Sequence, residues 1–179
     1  MSMLAKSPRD ASRAESLESP IKKGVRMRPV RRSDREIVDR EARALLEWAE
    51  YGVLSTVSSD GQPYGMPLNY VYKNGSIYFH SAVSGQKLDN ITCNPKVSFC
   101  VVGKTHVLPD KFATEYESAV AFGSAAEVYG KERHDALLWL LEKYCPGFIE
   151  EGRRYIEQKE NATKVIKIEI GHISGKARR

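Results

Sequence analysis

Two dipeptides, Asp60-Gly61 and Asn74-Gly75, constrain this chain more than any other feature, because each sits between runs rich in β-branched and aromatic residues. Such pairs enter the left-handed backbone of a tight turn at little cost, so the flanking segments must fold back as hairpins. The spacing predicts strands over about 52–58, 62–72 and 76–81, a meander with residues 66–72 antiparallel to 76–82. A short helix over 87–94 ends at Pro95, a fourth strand covers 96–102, and 103–114 reads as irregular. A longer strand over about 116–129 contains Gly123, which marks a bulge or a close backbone approach.

Helices flank this β-rich centre. Ser33-x-x-Glu36 has the form of a capping box and predicts a helix reaching about Glu50, with Ile37, Ala44, Leu45 and Trp48 on its apolar face. Leu137, Leu140, Leu141 and Tyr144 recur at helical spacing ahead of Cys145-Pro146-Gly147, and a less apolar helix follows over 148–158. The last segment, 163–173, alternates Ile166, Ile168 and Ile170 with Lys167 and Glu169, a half-buried closing strand. The fold class is therefore mainly β with flanking helices, five or six antiparallel strands closing into a small barrel, because closure removes exposed strand edges.

With 179 residues the chain supports one domain with a well-buried core. No apolar run approaches the roughly 18 residues a membrane helix needs, and a cytoplasmic, membrane-free protein is expected. Cys93, Cys100 and Cys145 lack metal spacing and read as reduced, mostly buried thiols. His106, His134 and His172 likewise have no second ligand at metal spacing, so no metal is expected. The basic balance is local: residues 1–35 hold ten Lys or Arg against four acids, while the other 18 basic and 19 acidic residues nearly cancel. Residues 1–26 thus read as a disordered basic arm preceding a domain over 27–179. A nucleic-acid or other acidic partner would draw support from that arm alone; no nucleic acid is expected, and the arm reads first as a solvated tail, with contact to an acidic partner the alternative.

The chemistry concentrates in Tyr78-Phe79-His80-Ser81-Ala82-Val83-Ser84-Gly85-Gln86-Lys87-Leu88-Asp89-Asn90, where a strand pattern gives way to a Lys-led helix. Free amides at the helix start, hydroxyls at Ser81 and Ser84 and the Lys87 ammonium form a phosphate-holding set. The same residues equally suit a plain strand-to-helix turn with Lys87 in water.

Taken with Met27-Arg28, Ser33-Asp34-Arg35-Glu36-Ile37, Asp60-Gly61-Gln62-Pro63-Tyr64, Pro67-Leu68-Asn69-Tyr70, Asn94-Pro95-Lys96-Val97-Ser98-Phe99, Tyr116-Glu117-Ser118, Phe122-Gly123 and the ending Ile173-Ser174-Gly175-Lys176-Ala177-Arg178-Arg179, that run resembles the nitroimidazole-resistance branch of the flavin-binding split-barrel superfamily, relatives of pyridoxamine 5'-phosphate oxidase. The resemblance covers roughly 27–179 and makes Met27 look like the usual start. It implies a six-stranded split β-barrel forming a homodimer with two FMN sites at the subunit interface. It also implies that Met66, Pro67, Leu68 and Asn69 line the flavin ring, that His80, Ser81 and Ala82 belong to a second flavin-binding strand, and that Lys87 binds phosphate. Gln86 stands where the oxidases commonly carry Arg, which removes one fixed charge and argues, with the lack of an Arg-rich substrate-phosphate motif, against the oxidase reaction. Tyr116, Ser118 and Phe122 are implied to lie near the dimer interface, closing over the flavin of the other subunit. His80 is the candidate catalytic residue, a proton or hydrogen-bond donor during reduction of a nitroaromatic or similarly electron-poor small molecule. A flavin or haem carrier without specific catalysis is the alternative, since a strand histidine suits an axial ligand.

Overall fold

The computed structural model describes residues 27–179, and the basic arm expected over 1–26 lies outside the described residues. Both turn dipeptides act as the sequence demands. Asn74 and Gly75 take φ of 53° and 79°, and Gly61 takes 87°. Around them run β1 (Glu36–Ile37), α1 (Asp39–Trp48), β2 (Gly52–Val57), β3 (Pro63–Leu68), β4 (Val71–Lys73), β5 (Ser76–Ser81), α2 (Gln86–Cys93), β6 (Lys96–Leu108), β7 (Ala113–Val128), α3 (Gly130–Tyr144), α4 (Ile149–Lys159) and β8 (Lys164–Arg178).

One antiparallel sheet follows the order β3-β2-β6-β7-β8-β5-β4, with β1 added to β8. Its two ends, β3 and β4, are consecutive in the chain and joined only by Asn69-Tyr70, so the sheet curls into a barrel left open along that seam. Six strands are long and two, β1 and β4, are short, which accords with the six-stranded split barrel expected. Tyr70 anchors the crossover: its ring is fully buried, its hydroxyl donates to the Leu46 carbonyl at 2.8 Å, and its amide donates to Tyr144 Oη at 2.9 Å. The expected pairing of 66–72 with 76–82 therefore holds only for Val71–Lys73, while Met66 and Leu68 pair with Leu54 and Gly52 of β2.

Inside the barrel, Leu54, Ile77, Phe79, Phe99, Val101, Ile166 and Ile168 are almost inaccessible to solvent. α1 closes one side with Ala42, Leu45, Leu46 and Ala49, whereas Ala44 and Trp48 face water. The apolar face is thus turned from the one expected, because Ile37 is not in the helix. Glu36 and Ile37 pair with Lys176 and Gly175 of β8, and this ladder displaces the capping box: α1 starts at Asp39 after Val38, with no side-chain cap. Gly175 is required there, since a Cβ would lie 2.6 Å from Ile37 Cγ1.

Two more expectations change. Residues 103–108 continue β6, pairing Thr105–Leu108 with Ala113–Tyr116 after a register shift that follows Val102. The β-favouring Thr105 and Val107 extend the ladder, and one 3-10 turn over Pro109–Lys111 reverses the chain, so the segment is not irregular. Cys93 and Cys145 are exposed and Cys100 is half-buried, all three as free thiols, because the first two fall at helix ends and not on packed faces. Gly123 does mark a bulge: β7 and β8 shift register between Phe122 and Gly123, and a Cβ at Gly123 would lie 2.1 Å from the Glu169 carbonyl oxygen. No helix among the described residues is long and apolar enough to cross a membrane.

Outside the barrel, α3 and α4 cover β4, β5 and β8 through a second core containing Val71, Tyr78, Leu137, Leu140, Ile156 and Val165. Trp139 packs edge-on against Tyr78, with ring centres 5.4 Å apart, the packing role its place beside the apolar stripe suggests.

Candidate functional site

Strand β5 divides its side chains between these two cores. Ile77 and Phe79 enter the barrel, Tyr78 faces α3, and the alternation carries Ser81 inward and His80 outward. Ser81 is 5% exposed, and its Oγ has no hydrogen-bond partner among the described residues. A buried hydroxyl left unpaired costs about 1–3 kcal/mol, so its survival at this position needs a reason.

The chain just beyond presents further unpaired donors. Gly85 takes φ of 139°, a backbone that other residues adopt only with strain, and opens α2 without any side-chain cap. Its carbonyl accepts from the Leu88 and Asp89 amides, which leaves the Gln86 and Lys87 amides at the mouth of the first turn. α2 is held firmly: Leu88 and Ile91 are buried in the barrel core, and Asn90 Nδ2 donates to Thr56 Oγ1 at 2.9 Å. Gln86 is exposed and Lys87 half-buried. An orphan hydroxyl, an uncapped helix start and a lysine thus follow one another within seven residues of chain, a set whose donors suit a phosphate.

His80 faces the other way, into a cavity of about 560 Å³ that it shares with Asn69. Solvent still reaches the ring, yet surrounding protein strips enough hydration to lower its pKa, and the Lys87 charge lowers it further. The imidazole is therefore neutral at pH 7, with one donor and one acceptor nitrogen. The structure thus brings Asn69 and His80 to one wall, with Ser81, Ala82, Gln86 and Lys87 following directly along the chain. Met66 and Leu68 point their side chains at the barrel core, and Pro67 is exposed on the outer face.

Tyr116, Ser118 and Phe122 are not part of this group within one chain. Phe122 lies opposite His172 on β8, whereas His80 lies opposite Val165, roughly 20 Å along the same strand. They sit instead at alternate positions of β7 with Val120, half-buried, and the Phe122 and His172 rings are 6.2 Å apart. Exposed Val53 and Val102 extend this apolar sheet face.

The cavity was absent from the sequence expectations. Its walls include Leu137, Leu140 and Leu141 of α3 and Ile156 of α4, residues that periodicity alone assigns to packing. Nor does the sequence pair His134 with Glu160: His134 Nδ1 lies 2.9 Å from Glu160 Oε2, and Arg133 donates to Oε1 of the same carboxylate at 3.2 Å. These contacts lower the Glu160 pKa, the His134 hydrogen bond being the larger cause. Among the described residues no group of His, Cys, Asp and Glu could hold a metal ion.

The family model described as pyridoxamine 5'-phosphate oxidase matches residues 38–177. Solved structures share the architecture. A conserved hypothetical protein from Mycobacterium tuberculosis aligns with TM-score 0.73 and 21% identity over 84% of this chain and 91% of its own. The FAD and heme binding protein of Mycobacterium smegmatis aligns with TM-score 0.71 and 20% identity over 81% and 74%. A candidate 5-nitroimidazole antibiotic resistance protein from Bacteroides thetaiotaomicron aligns with TM-score 0.64 and 20% identity over 79% and 85%. No curated protein matches the sequence. The chain belongs to the pyridoxamine 5'-phosphate oxidase family, and the split-barrel resemblance read from its sequence is borne out.

Proposed function

We propose that this chain is an FMN-dependent oxidoreductase that reduces small nitroaromatic or comparably electron-poor compounds, and that it works as a homodimer. The observation that carries the reading is the buried Ser81 Oγ without a partner, at the strand end leading to the uncapped start of α2. Ser81, Lys87, Gln86 and the first amides of α2 would hold the FMN phosphate. The backbone of Met66, Pro67 and Leu68, the Asn69 amide and Ala82 would border the ring. Bound there, the flavin would supply electron and hydride transfer.

The protein's own part is orientation and proton placement. Neutral His80 keeps an N–H to donate to an oxygen that gains negative charge, and the lowered pKa maintains that form through neutral pH. Gln86 donates hydrogen bonds without a fixed charge, so phosphate retention leans on Lys87 and the helix start. Tyr116, Ser118 and Phe122 would reach a flavin only from a second copy, seated on the apolar face that Val53 and Val102 extend. Val102→Arg should then convert a dimer to a monomer in analytical ultracentrifugation, and a wild-type monomer would remove this part of the reading.

The deciding experiment is the absorption spectrum of freshly purified protein, followed by mass identification of the released small molecule. Released FMN, with reduction of a nitroimidazole by the chemically reduced protein, is the expected result. The His80 cavity, together with a structural neighbour described as binding heme, supports a second reading as a haem carrier. A Soret band in place of flavin absorption would select it.

A further inference from the structure

The cavity between α3, α4 and β5 is held open by the helices that form it. At one end α4 touches α3 through Gly152, where a Cβ would lie 2.1 Å from Leu141 Cδ1. At the other, Glu160 is clamped by Arg133 and His134, as described above. With both ends fixed, α4 cannot settle into the space between them, and about 560 Å³ stays open, within the ordinary range of small-molecule sites. Leu137, Leu140, Leu141 and Ile156 give it an apolar floor, Glu151, Lys159 and Thr163 also line it, and Phe148 and Tyr155 stand at its rim, 67% and 64% exposed. The polar groups of Asn69 and His80 are gathered on the β5 side. Aromatic side chains left in water around an apolar recess with a few convergent polar atoms fit a flat ring that covers them.

We infer that this cavity is the acceptor site, binding neutral, planar one- or two-ring aromatic compounds with a polar substituent directed at His80 and Asn69. The inference rests on the FMN reading for the fate of the bound ring, but binding itself needs no flavin. Neutrality follows from the lining: its charges are of both signs, Lys159 as well as Glu151 and a Glu160 already held by Arg133 and His134, so they offer no single-signed patch, and an ionised ligand would lose hydration against the apolar floor.

The test uses 2-naphthol as probe, titrated calorimetrically into the full chain with and without added FMN, alongside separate FMN titrations. Wild type should bind 2-naphthol in the micromolar range, at least ten-fold tighter than naphthalene-2-sulfonate. Cys145→Trp, an exposed position on the cavity wall, should weaken 2-naphthol at least ten-fold while FMN affinity and the thermal melt stay unchanged. Tyr155→Ala should weaken it several-fold. No binding to wild type, equal binding of the sulfonate, or equal affinity in Cys145→Trp would each overturn the assignment. Binding of 2-naphthol that Cys145→Trp blocks, in a protein that does not take FMN, would keep this site and remove the flavin reading.

Discussion

Adjacent residues of β5 occupy opposite kinds of space. Ile77, Phe79 and Ser81 belong to the closed interior of the barrel, where Phe79 is 0% exposed, while His80, one residue away, opens on a cavity that solvent enters. The strand thereby separates what holds the fold from what can meet a ligand, and Ser81 is the exception, an inward position carrying an unpaired polar atom. The comparison teaches that the candidate site is built on the register of β5 with β8, where Phe79 faces Ile166 and His80 faces Val165. A slip of one residue would exchange the two environments.

Substitutions at these neighbours break the comparison most directly. Phe79→Ala should cost about 3–5 kcal/mol in urea unfolding, whereas His80→Ala should change stability by only about 0.5 kcal/mol. Similar losses at both positions would mean that the two faces are not distinct. Asn90→Ala comes next, at about 1–2 kcal/mol, because it removes the buried tie from α2 to Thr56; FMN affinity should fall with it. Gly85→Ala should cost about 1 kcal/mol through its positive φ, again with weaker FMN binding, although nothing lies near enough to clash with the added methyl.

The smallest effect is the pH dependence. Because burial and Lys87 lower the His80 pKa, the unfolded chain takes up this proton first as pH falls through the ordinary value of 6.5. Stability should therefore decline on acidification from about 6.5 down to the lowered native pKa, and His80→Gln should flatten that part of the curve. Glu160 has the opposite charge type, and its contribution is lost only as pH falls below its ordinary 4.5, so the two windows separate in chemical denaturation across pH. Loss of stability in the upper window that persists in His80→Gln would place the responsible group elsewhere.

Most of the barrel was legible because its signals are local. Asp60-Gly61 and Asn74-Gly75 carry their turn chemistry in the dipeptide, and the Ile166, Ile168, Ile170 alternation identifies β8. What escaped depends on partners distant in sequence. The Ser33–Glu36 capping box lost to pairing with Lys176 and Gly175, and the break at Asn69-Tyr70 arises from bonds that Tyr70 makes to Leu46 and Tyr144. For the site, the run from His80 to Lys87 suggests a phosphate-holding sequence or a plain strand-to-helix turn alike, and the missing partner of Ser81 Oγ, which bears on that choice, appears only in three dimensions. The α3–α4 cavity was invisible for the same reason, since Leu137, Leu140 and Leu141 carry an ordinary packing pattern and only the placement of α4 leaves the space beside them open.

The central claim, that the start of α2 with Ser81 and Lys87 receives the FMN phosphate, is tested most directly by titrating FMN into wild type and Lys87→Glu and following the quenching of flavin fluorescence. An anion at position 87 should raise the Kd at least 100-fold while the thermal melt stays unchanged. Equal FMN affinity in the two proteins would contradict the phosphate assignment.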